Sequence, residues 1–167
     1  MKKKLKAAAG MSLALTAGAL FPLSGAGAGH SNTVLVTELR GRNEVSTDPD
    51  ERRAGDRNGR GEAYVFGIDG DPTTLCYVLT VSRIEPATAA HIHEGARGEN
   101  GPVVAVLAAP ADGNAADCLT EGEAGKFPTG ETVAAILANP ENYYVNVHNA
   151  EHPGGAIRGQ LEVQEHD

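Results

Sequence analysis

The chain has 167 residues, enough for one ordinary domain and too few for two. A hydrophobic fraction of 41% sets pervasive disorder aside, and a formal charge of −8 excludes a nucleic-acid partner, because a phosphate backbone demands a basic surface. Aromatics are only 4% and Trp is absent, so Val, Ile, Leu and Ala must build the core; 21 glycines and nine prolines favour short strands and turns over long helices.

The first segment reads as an export signal. Lys2, Lys3, Lys4 and Lys6 precede an apolar run over 7–23, and Ala26-Gly27-Ala28 has the small-x-small pattern of a signal peptidase site. Cleavage is expected after Ala28, with Ala26 as the second choice, leaving one domain over residues 29–167. Of the 14 basic residues, four leave with the signal, so ten face 22 acidic ones and the remaining charge is −12. Lys126 is then the only lysine. No second stretch is long and apolar enough to span a bilayer, so no transmembrane segment is expected after cleavage. Cys76 and Cys118 are an even pair in an exported chain and read as a disulfide. The expected location is extracellular or in the cell envelope.

Residues 34–40 alternate apolar and polar and predict a strand. A polar loop over 41–61 follows, then a hairpin of strands 63–68 and 75–84 around Asp69-Gly70-Asp71-Pro72, with Leu75, Tyr77, Leu79 and Val81 on one face. Residues 89–94 form a short strand, 95–102 a glycine-rich loop, 103–108 an apolar strand and 110–128 a polar loop held by Cys118. Val133, Ile136 and Leu137 lie at helical spacing after a cap at Thr129, and Asn139-Pro140 ends that helix. Strands at 143–148 and 156–163 close the chain around a turn at 152–155. About seven short strands and one short helix make an all-β antiparallel sandwich or barrel.

Six histidines follow residue 28. His30 and His166 lie near the ends; the other four fall in His91-Ile92-His93-Glu94 and in the stretch from Tyr143 to His152. Residues i and i+2 of a strand share a face, so His91 and His93 project together while Ile92 points into the core. Val145 and Val147 take the core side of the later strand, leaving Asn146 and His148 on the outer side. Two imidazoles from one strand and one from another form a chelating set suited to copper or zinc if the strands meet. Glu94 faces away from His93. Arg158 faces outward with Gln160, and the short connection over 149–155 brings it near His148, at the cleft mouth. There it would attract an anion, pair with Glu94, or form a surface salt bridge. His152 also falls close to this region. No nucleophile elbow, P-loop or dinucleotide fingerprint is present.

Several stretches together resemble a CHRD domain. They are Leu39-Arg40-Gly41-Arg42-Asn43-Glu44-Val45, Gly61-Glu62-Ala63, Ala89-Ala90-His91-Ile92-His93-Glu94-Gly95 and Gly98-Glu99-Asn100-Gly101-Pro102-Val103-Val104. Asn139-Pro140 with Tyr143-Tyr144-Val145-Asn146-Val147-His148, and Pro153-Gly154-Gly155-Ala156-Ile157-Arg158-Gly159-Gln160-Leu161, complete the pattern. The family is named for its occurrence in chordin and also occurs in secreted bacterial proteins; the resemblance covers residues 33–163. It implies an immunoglobulin-like β-sandwich related to the Cu/Zn superoxide dismutase fold. His91, His93 and His148 match copper-ligand positions of that enzyme, whereas no bridging histidine follows His93 and no zinc-site cluster is present. The resemblance implies a non-catalytic domain that binds an extracellular protein or envelope ligand. The alternative is a copper-dependent, superoxide dismutase-like oxidoreductase.

Overall fold

The computed structural model of the protein describes residues 33–47 and 54–165. The expected signal segment, His30, His166 and the acidic group Asp48, Asp50 and Glu51 lie outside the described residues. Nine strands, one α-helix and two short 3₁₀ turns make the described part all-β, as the alternation and turn spacing predict. The strands are β1 (Val34–Arg40), β2 (Arg60–Ile68), β3 (Asp71–Ser82), β4 (Ala87–Glu94), β5 (Val103–Leu107), β6 (Asn114–Thr120), β7 (Tyr143–Asn149), β8 (Ile157–Gln160) and β9 (Glu162–Val163). The helix α1 spans Val133–Ala138.

All strand pairings are antiparallel and join into one sheet in the order β5-β4-β7-β8-β1-β2-β3-β6, with β9 also on β1. The sheet curls into a near-barrel around a single core. Leu35 and Leu39 of β1, Val65 of β2, Leu75 and Leu79 of β3, Ile92 of β4 and Val145 and Val147 of β7 are fully buried there. The period of two dictates this: alternate residues face in, and those positions carry the branched aliphatic side chains. Beyond β5 the chain completes the wall from another direction, since the Val106 amide donates to the Lys126 carbonyl at 2.9 Å. The Ala108 amide donates to the Tyr77 hydroxyl at 2.7 Å, tying the end of β5 to β3.

Three local expectations are corrected. Residues 114–120 form a strand rather than loop; β6 pairs with β3 in full register, with Cys118 opposite Cys76. Its composition, NAADCLT, buries only Leu119, so no apolar alternation announces it. The disulfide Cys76–Cys118 joins these two strands on the outer face. The helix cap is Thr132, whose side chain accepts from the Ala135 amide at 3.2 Å, and not Thr129. Thr132 stands immediately before the first helical residue, where a side-chain oxygen can reach the third amide. The last strand is divided: the Leu161 amide turns to the Tyr143 carbonyl, ending β8 against β7, and β9 continues along β1.

Candidate metal centre

Strands β4 and β7 are direct neighbours. Ala89 pairs with His148, His91 with Asn146 and His93 with Tyr144. Ala90 and Ile92 are buried on the core side, which turns His91 and His93 to the outer side together. Val145 and Val147 take the core side of β7 in the same way, leaving Asn146 and His148 outside. His148 therefore sits one step diagonally from His91. Each of the three histidines offers a ring nitrogen, and those atoms lie within 4.8 Å of one another. His91 Nδ1 and His148 Nε2 are 3.1 Å apart.

Two of the remaining ring nitrogens are fixed by backbone. His93 Nδ1 donates to the Gly101 carbonyl at 3.0 Å, and His148 Nδ1 donates to the Pro153 carbonyl at 3.1 Å. A neutral imidazole that donates through Nδ1 presents a lone pair at Nε2, so both rings are oriented with Nε2 available. His93 Nε2 is buried and has no hydrogen-bond partner. Such an atom is costly unless something occupies its lone pair.

All three rings are held neutral. Burial pushes His91 down to about 4, assisted by the adjacent His148 and His93 rings. Burial also lowers His93, against the pull of its bond to Gly101, and the neighbouring His148 and Arg158 charges add to the lowering. Burial lowers His148, opposed by its bond to Pro153. Unprotonated imidazoles are what a metal requires. The three nitrogens and their spacing fit a borderline cation such as Cu²⁺ or Zn²⁺, and the unpartnered His93 Nε2 is the observation that tests this fit.

Arg158 departs from its expected place. It is 2% exposed, among the most buried large side chains, and not at a cleft mouth or in a surface salt bridge. It is not paired with Glu94, which is exposed. Its guanidinium donates to Asn100 Oδ1 and to the Ala96 and Glu99 carbonyls, and its central carbon lies 3.3 Å from the Tyr144 ring centroid. The segment between β4 and β5 folds over β8 and converts an outward position into a buried one. Gln160 is used similarly, donating to the Gly95, Glu141 and Tyr143 carbonyls.

Asn146 is buried beside the histidines with Oδ1 unpartnered. Near it lies a residue that sequence reasoning quoted only as part of a motif. Burial pushes Glu44 up to about 8, opposed by the Arg158 charge and by hydrogen bonding with Asn146. Its carboxyl packs against Gly155, where a Cβ would approach Oε2 to 2.5 Å. A single acid in a polar stretch carries no pattern that announces burial.

A cleft of about 410 Å³ opens beside His93, lined among others by Val45, Thr47, Asn146, His152 and Pro153. His152 is thus on the cleft wall, but it does not join the three histidines; its Nδ1 bonds to the Ala54 carbonyl at 3.2 Å.

No curated protein matches the chain. The sequence model of the CHRD domain matches residues 35–161, from the first core leucine of β1 to the residue between β8 and β9, so that both histidine-bearing strands fall inside it. On that match, spanning most of its length, the chain belongs to the CHRD domain family.

Proposed function

We propose that the protein is an exported, non-catalytic binding domain of the extracellular space or cell envelope, carrying a copper or zinc ion on His91, His93 and His148. The observation that carries the metal assignment is the convergence of three neutral imidazoles on one outer-face point, with His93 Nε2 buried and unpartnered. Coordination through His91 Nδ1, His93 Nε2 and His148 Nε2 leaves in place the two Nδ1 atoms, of His93 and His148, that already serve a carbonyl. The ion would supply a Lewis-acidic centre open toward the cleft. The Cys76–Cys118 disulfide supports export, and no helix among the described residues is long and apolar enough to cross a membrane. Residues 1–28 are the export signal in this reading, and 29–167 the domain. The partner in this reading is an extracellular protein or envelope ligand.

Elemental analysis of tag-free exported protein tests the site directly. About one copper or zinc per chain is expected, and His93→Ala should lose it. Loading equal to that of the variant would end the metal reading.

The cleft beside His93 favours a second reading, a copper-dependent oxidoreductase of superoxide dismutase type. Superoxide consumption by copper-loaded protein decides between the two. A rate no higher than that of His93→Ala supports the non-catalytic domain.

A further inference from the structure

The half of the sheet remote from the histidines carries an unusual outer face. Ala63 and Val65 point inward, so Tyr64 and Phe66 point outward. Two consecutive cross-strand rows on that face are apolar across four strands. One runs Val36, Tyr64, Val78, Ala116; the next runs Val34, Phe66, Cys76, Cys118. Tyr64 is 40% and Val78 42% exposed. A row of apolar side chains standing open on a chain this acidic marks an interaction surface.

Charge is arranged asymmetrically around it. At one end of the rows, where β1, β2 and β3 meet, Arg40, Arg60 and Arg83 line a groove together with Glu38 and Glu62; Arg40 is paired with Glu38 at 2.7 Å, which leaves Arg60 and Arg83 as the basic groups at this end. Asp69 and Asp71 flank the β2–β3 turn at the other end. Val65 is paired with Tyr77, so that pair marks the middle of the face. Counting outward from it, Arg83 lies six residues away in one direction, just past the end of β3, and Asp71 six in the other, at its start. Arg60 and Gly70, inside the acidic turn, are likewise five residues either side of Val65.

We propose that this face binds a second copy of the chain about a two-fold axis that lies in the interface and runs across the strands. That operation reverses each strand about its middle. Tyr64 then meets Phe66 of the second copy, and Val78 meets Cys76, so apolar rows cover apolar rows. The Arg60 and Arg83 end of each copy faces the Asp69–Asp71 turn of the other, and every such contact occurs twice. Charge complementarity within one surface is what identifies the occupant as a second copy, because an unrelated partner has no need of this symmetry. Four strands at ~4.8 Å spacing and about ten residues of length give a face of roughly 600 Å² before side-chain relief, close to the ~800 Å² each partner gives a standard interface. The metal centre lies on β4 and β7, outside this face, and stays open in the dimer.

Sedimentation velocity of the full exported chain from about 1 to 200 μM tests the assembly. A species of twice the chain mass is expected. Tyr64→Glu should raise its dissociation constant more than tenfold, with an unchanged circular dichroism spectrum. Arg83→Asp and Asp71→Arg should each weaken it, and the two together should restore most of the loss. Asp71 also accepts hydrogen bonds from Thr73, but that local role gives no rescue by a charge across the interface. A monomer across the whole range overturns the proposal. So does a dimer indifferent to Tyr64→Glu, or a double variant no better than the worse single one.

Discussion

The Tyr144 ring lies almost parallel to the His93 imidazole, with centroids 4.9 Å apart and planes 9° from one another. The Arg158 guanidinium rests against the same ring, and the Tyr144 hydroxyl accepts from the Gly101 amide at 3.2 Å. Gly101 in turn supplies the carbonyl that orients His93. Ring, guanidinium and loop therefore fix one imidazole from two sides. The loop comes this close because Gly101 has no side chain; a Cβ there would overlap the Glu94 carbonyl.

That arrangement separates two substitutions at Tyr144. Tyr144→Phe keeps the stack and should leave copper affinity within about threefold. Tyr144→Ala removes both stack and hydroxyl and should weaken it about 10–100-fold, the range typical of residues that orient a ligand. Competitive titration with a chelator of known affinity measures both. Equal losses in the two variants would mean that the ring contact does not matter.

Acid should weaken the metal-free protein through the same histidines. His91 is held down at about 4, against an ordinary value of 6.5 in the unfolded chain. Between those values the unfolded state binds more protons, so stability falls as pH drops from about 6.5 toward 4. After allowance for the partial exposure of the ring, His91 contributes about 1–2 kcal/mol to that loss. Denaturant unfolding at pH 7 and 4.5 should show a smaller difference for His91→Gln than for the parent protein.

Glu44 acts at the alkaline end. Its carboxyl titrates at about 8 in the folded protein and near 4.5 when unfolded. The folded state holds the extra proton between those values, so this group's stabilising contribution is complete below about 4.5 and is lost as pH rises through 8. Glu44→Gln should therefore be more stable than the parent at pH 9, by about 2 kcal/mol, and close to it at pH 5. Identical pH profiles for the two proteins would refute the buried protonated acid.

The disulfide closes a sequence separation of 42 residues. Chain entropy assigns such a loop about 4 kcal/mol. The double variant Cys76→Ser, Cys118→Ser should lose about 3–4 kcal/mol of unfolding free energy. Its copper affinity should be unchanged, since β3 and β6 carry none of the three histidines. Urea unfolding and metal titration on the same preparation check the two statements together.

Parity made part of the site legible before any fold was known. His91 and His93 had to share a face once Ile92 was given to the core, and His148 had to oppose Val147. That β4 and β7 are neighbours follows from topology, on which a single strand's pattern is silent. Arg158 shows the limit of parity more sharply. It does face out from the sheet, but the glycine-rich connection over 95–102 closes above it, so outward means buried. The strand β6 escaped notice because its pairing comes from backbone and one cysteine rather than from an apolar face. Glu44 escaped for the opposite reason, as a polar residue whose surroundings are assembled from distant segments.

The hydrogen bond from Val106 to the Lys126 carbonyl also governs how the protein behaves in a crowd of its own kind. A sheet ends in a row of idle backbone donors and acceptors, and such a row is a template for fibre growth. On the β5 side the crossing segment takes up one of those donors, the Val106 amide. On the β6 side charge takes over: Asp117 stands in the outer strand with Lys126 held 3.8 Å away. Polymerisation by adding strands side by side is thus obstructed at both margins. The domain can be concentrated without seeding aggregates from an edge.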